Sequence, residues 1–143
     1  MKFHLLLATL VLAGPSAAAR AAEPITGDWL VPGGAAQVRI APCPAPGKLC
    51  GVIVWLKHPN DRHGAPARDL ANRDPRQRGR PLLGMMLISD LTPAAPGRWT
   101  DGRIYDPHTG KSYASEATAG PDGRLKVESC VERLCQTQTW RRN

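Results

Sequence analysis

At 143 residues the chain is long enough for one domain with a real core and too short for several. It carries 19 basic against 12 acidic residues, a formal charge of +7, but 14 of the basic residues are Arg, and Ala, Gly and Pro abound, a bias that GC-rich coding produces on its own. The longest apolar stretch is about ten residues, which excludes a helical span across ~30 Å of hydrocarbon.

In chain order, Lys2 is followed by an apolar run from Leu5 to Gly14 and then by Ala17-Ala18-Ala19-Arg20-Ala21-Ala22. Charge, apolar core and small-residue pair in that order predict a secretory signal peptide over residues 1–21, cut after Ala21. The mature chain, residues 22–143, then forms a single domain of charge +5 in the periplasm or outside the cell. No Cys sits at the cleavage site, so no lipid anchor is expected. An exported chain leaves nucleic acid a poor candidate partner, whereas an anionic envelope glycolipid fits the charge.

Eight short segments of alternating or wholly apolar character follow: residues 26–31, 36–42, 50–57, 82–89, 98–105, 111–118, 124–130 and 135–142. Turn signals separate them: Pro32-Gly33-Gly34, the stretch from Pro42 to Gly47, Asp106 to Gly110, and Gly120 to Gly123. No long segment holds a helical period. Eight strands in sequence order with tight turns predict an all-β fold, a small antiparallel up-and-down barrel whose closure removes exposed edges. The exception is residues 57–81, a long loop rich in Arg, Pro, Asp and Asn, with a short helical turn expected near residues 66–71.

Four cysteines in an exported chain predict two disulfides. Cys43 and Cys50 bracket one turn, Cys130 and Cys135 another, so the local pairing is expected, pinning hairpin register. Facing Cα atoms on antiparallel strands lie ~4.5–5.5 Å apart, which a disulfide accommodates.

Parity assigns faces. Ala36, Val38 and Ile40 share the inner face of the second strand. The run from Val52 to Leu56 is apolar on both faces and needs outside cover, for which the long loop is the candidate. If Trp140 points inward, Gln136 and Gln138 share its face and line a polar interior. Gly84 is expected to bend its strand at a barrel corner.

Several stretches, taken in order, carry a resemblance: Gly27-Asp28-Trp29, Cys50 to Lys57, Asn72-Arg73-Asp74-Pro75, Arg80-Pro81-Leu82, Gly102 to Pro107 with Gly110 to Tyr113, and Thr137 to Trp140. Together they resemble the exported bacterial family called domain of unknown function 2147. The resemblance implies a lipocalin-like barrel and no assigned activity. Lipocalins place a Gly-x-Trp on the first strand and stack a late Arg over that Trp. Here Gly27 and Trp29 match the first feature. Arg141 or Arg142 supplies the second, with Arg141 placed beside Gly27, Trp29 and Trp140 in the closure.

Candidate chemistry is thin. His58, Asp61 and His63 sit in a Pro-rich loop with nothing to aim them at a metal, so no metal or other cofactor is expected. Ser89, Ser112 and Ser115 are available nucleophiles and His108 a base, but none sits in a Gly-x-Ser-x-Gly context, so no catalytic residue is assigned. Asp74 and Asp106, each before a Pro, read as turn starters. The basic loop offers one cluster, Asp69, Asn72, Asp74, Arg78 and Arg80, as a rim binding anionic groups; alternatively Arg80 pairs with Asp69 or Asp74 and fixes the loop. The expected function is non-enzymatic binding of a small amphipathic or anionic ligand or envelope component. Second comes an envelope interaction protein with a filled barrel and a basic docking face, and third a hydrolase. An open cavity favours the first reading and a packed interior the second.

Overall fold

A computed structural model describes residues 24–143; the expected signal peptide lies outside the described residues. Eight strands form: β1 (Gly27–Leu30), β2 (Ala36–Pro42), β3 (Leu49–Leu56), β4 (Met86–Ala95), β5 (Arg98–Asp106), β6 (Lys111–Ala119), β7 (Arg124–Val131) and β8 (Leu134–Arg142). Each pairs antiparallel with the next, and β1 pairs with β8 to close the barrel.

Alternating strand directions sort the connections onto two ends. The β1–β2 turn, the long loop between β3 and β4, the β5–β6 turn and the β7–β8 turn share one end, the mouth. The β2–β3, β4–β5 and β6–β7 turns share the other, the closed end. Turn chemistry follows the sequence. Asp106 accepts from the His108 amide at 2.9 Å and from the Thr109 hydroxyl at 2.8 Å, holding the β5–β6 turn. Gly110 ends that turn at φ 67°, and a Cβ there would run into the carbonyl of Ala71, so the long loop seats directly on this glycine.

Both expected disulfides are present, one at each end. Cys43–Cys50 spans the β2–β3 turn with Cα atoms 5.0 Å apart. Cys130–Cys135 joins directly paired residues of β7 and β8 at the mouth, with Cα atoms 4.0 Å apart.

The core fills the half nearer the closed end. Trp29, Val38, Ile40, Leu91, Leu125 and Trp140 are no more than 2% exposed. Close packing there requires glycines: a Cβ at Gly102 would lie 2.6 Å from a Leu91 methyl.

Two local expectations need correction. The fourth strand runs over Met86–Ala95, not residues 82–89. Residues 82–85 instead form a turn, with the Met85 amide donating to the Leu82 carbonyl and Gly84 at φ 84°, so this glycine makes a turn before the strand rather than a corner within it. Pro93 sits inside β4 because β4 overruns β3 beyond the Leu49–Leu91 pair, where one edge makes no demand on its missing N–H. The helical turn of the loop lies at Pro75–Gln77 rather than near residues 66–71; Asp74 caps it and Pro75 starts it.

Candidate functional site

The mouth half of the barrel is hollow. A cavity of about 880 Å³ runs from the mouth down to the indole of Trp140, which divides it from the packed core. A bulge in β3 shapes one wall. The β2–β3 register shifts between Gln37 and Val38, so Val54 has no partner, and Ile53 and Leu56 both turn into the cavity. Trp55 is thereby left on the outside and 41% exposed. The long loop bends over the mouth and adds Arg68, Leu70, Ala71 and Leu82 to the lining. It therefore roofs the interior, whereas the sequence suggested cover for the outer face of β3.

The opposite wall is β8, and the expected parity holds, but the interior is mainly apolar rather than polar because β2, β3, the long loop and β5 contribute Ala36, Ile53, Leu56, Leu82 and Ile104 to it. Trp140 is buried, and Gln136 and Gln138 line the cavity. The Trp140 indole N–H donates to the Gln138 side-chain oxygen at 3.0 Å, which orients the amide. Above Arg141, β8 has no partner on β1, because β1 pairs only through Trp29–Arg142 and Leu30–Arg141. Beyond this short seam β8 is neighboured by the turn at Pro32–Gly34 rather than by a strand. Apolar side chains ring the opening: Leu70, Val131 and Leu134 line it and are 70%, 56% and 82% exposed. A greasy rim over an interior with oriented amides, His58 and Arg68 suits a molecule with both apolar and polar parts.

The cluster Asp69, Asn72, Asp74, Arg78 and Arg80 comes together in space, but its polar groups face one another. Asp69 is fully buried. It accepts from Tyr105 Oη at 2.6 Å, Asn72 Nδ2 at 2.7 Å and Arg80 Nη2 at 2.8 Å. Burial pushes the Asp69 carboxyl up, and these bonds, led by those from Asn72 and Tyr105, outweigh it, so its pKa lies below the ordinary carboxylate value. Burial, then the bond to Asp69, raises the Tyr105 phenol. Arg78 donates to the Asn72 carbonyl at 2.7 Å, and Asp74 caps the helical turn while pairing with Arg76. None of the five lines the cavity. Their geometry is that of a brace holding the loop on β5, the alternative the sequence left open for Arg80.

At the closed end the stacked Arg is Arg142, not Arg141. Its guanidinium lies 4.5 Å from the Trp29 ring centre and donates to the carbonyls of Thr26 and Pro24. Parity gives the reason: Arg142 shares the inward face of Trp140 and pairs opposite Trp29, while Arg141 points out. Gly27, at φ 122°, leaves room for it; a Cβ there would sit 2.9 Å from Arg142 Nη1.

Of the other candidates, His58 and His108 line the cavity, whereas Asp61 and Ser115 do not. Asp61 accepts from the amides of His63 and Ala65 within its own loop. Ser115 is 1% exposed on the inner face of β6, and its hydroxyl has no partner among the described residues.

Residues 27–142 match the family described as "Uncharacterized protein conserved in bacteria (DUF2147)". The chain belongs to this family. No curated protein matches it. Among solved structures, this DUF2147 barrel is similar to one described as "Protein HP1028 from the human pathogen Helicobacter pylori belongs to the lipocalin family", with a TM-score of 0.70 and 21% identity over 84% of this chain and 83% of that one. At that identity the likeness is one of fold: a closed, eight-stranded, lipocalin-like barrel. Among the described residues no helix is long and apolar enough to cross a membrane.

Proposed function

We propose that this protein is a non-enzymatic binding module of the periplasm or cell exterior that takes a small amphipathic ligand into its barrel. The cavity carries the reading: about 880 Å³ lies within the ~300–1,000 Å³ range of small-molecule sites. The same observation weighs against the filled-barrel docking protein. The lipocalin-like fold supports binding, and the two disulfides suit an oxidising compartment. A hydrolase is less well supported. The cavity-side Asp106 is committed to its own turn, and the buried Ser115 hydroxyl makes no hydrogen bond to a base among the described residues. The apolar rim and the amides on β8 divide the work, the first receiving a chain and the second orienting a polar group.

Native mass spectrometry of protein taken from its own envelope tests this. A co-purified amphiphile should appear and should be lost from Ala36→Phe, which fills the mouth beside the β1–β2 turn. Bare protein alone, or an adduct equally present on the blocked variant, contradicts the reading.

A further inference from the structure

The outer surface of β5, β6 and β7 carries a second concavity near the mouth, a groove of about 630 Å³. Three cations from three elements line it: Arg73 from the long loop, Arg103 from β5 and Lys111 from the start of β6. No carboxylate lines it. Other described cations also lack an acidic partner, but these three converge on one concavity, whereas Arg39, Arg76, Arg80, Arg98 and Arg124 each hold an acidic side chain. Among the described residues none of the three groove cations makes an ion pair. Arg103 has one long contact, donating Nη2 to the Ser112 carbonyl at 3.4 Å. Three like charges around one concavity raise its local potential and favour an anion from solution. Two of them are guanidinium forks, which meet phosphate oxygens bidentately. Ser112 lies on the same wall.

We propose that this groove is an oxyanion-binding site whose ligand is a phosphate group. Tyr113 and Val131 border both the groove and the cavity. A phosphate headgroup seated outside can therefore belong to an amphiphile whose chain passes over that shared wall into the barrel. This headgroup version rests on the binding reading above; the anion site itself does not.

Calorimetric titration with inorganic phosphate, and separately with a single-chain phosphate monoester lipid below its micelle concentration, tests the proposal. Arg103→Gln with Lys111→Gln should weaken phosphate binding by at least about tenfold, the effect of losing charge-assisted contacts. Arg141→Gln, exposed on β8, should leave it unchanged. A parallel loss for the lipid identifies the headgroup as the source; a loss for phosphate alone identifies a free anion, and either supports the site. Unchanged phosphate binding in the double variant, or amide shifts scattered over the basic surface rather than at Arg103, Ser112 and Lys111, overturns it. Uptake of uncharged decanol by the same variants reports on the cavity alone, so failure of the binding reading is seen separately.

Discussion

Asp69 concentrates much of the loop's stability in one carboxylate. It is buried, it takes three side-chain donors, and the donors come from the loop and from β5. Removing it leaves Tyr105 and the half-buried Arg80 without their acceptor, so Asp69→Ala should destabilise by about 2–3 kcal/mol in urea unfolding at neutral pH. The pH dependence has a defined sign. The folded carboxyl titrates below its unfolded value of ~3.9, so its contribution is complete above that value and is lost as pH falls through the folded value. The wild type should therefore lose more stability between pH 6 and pH 3 than Asp69→Asn does. At the closed end Arg142→Ala should cost about 1–2 kcal/mol through the lost stacking and carbonyl bonds, while Arg141→Ala stays within ~0.5 kcal/mol. Equal effects from the two would contradict the parity assignment.

At the scale of strands and loops, regular alternation was readable and irregularity was not. The inner face of β2, the tight turns at Asp106 and Gly120, and the inward glutamines of β8 all follow from period-two patterning and local turn chemistry. The same parity rule points to Arg142, since it lies two residues beyond the buried Trp140. The β3 bulge left no local signal, because the residues on either side of Val54 are apolar whichever face they take. The expected bounds of β4 follow the apolar run from Leu82 to Ile88, but its first residues form a turn, and the strand continues through the mixed stretch to Ala95 because β5 pairs with it there. The loop cluster was found from its residue types, yet its use as a brace depends on Tyr105, 36 residues away, which local spacing does not reveal. Disulfides act at this scale too. Each closes a short loop, so replacing either Cys pair with Ser should lower stability by about 2 kcal/mol on the chain-entropy estimate. Losing Cys130–Cys135 should also speed hydrogen exchange at the β7–β8 tip, with little change at the β2–β3 turn.

For the whole molecule, the division into a packed closed end and a hollow mouth organises everything else. Stability resides below Trp140, in the tryptophans, the aliphatic core and the Arg142 clasp. Binding is assigned above it, where the seam between β8 and β1 is short, the loop is braced as a roof, and exposed leucines ring the opening. On the binding reading, a cavity with an apolar rim, a mainly apolar lining and a few polar groups such as Gln136, Gln138, His58 and Arg68 should accept apolar chains with a modest polar end, and such burial contributes about 0.8 kcal/mol per methylene. Affinity for a series of straight-chain alcohols should thus rise by about threefold to fourfold per added carbon until the chain fills the space. The most direct test of the hollow-mouth account is the NMR resonance of the tryptophan indole N–H groups during titration with decanol. Trp140, at the cavity floor, should shift in a saturable manner while Trp29, in the closed-end core, stays still; an unmoved Trp140 at saturating alcohol would contradict the account.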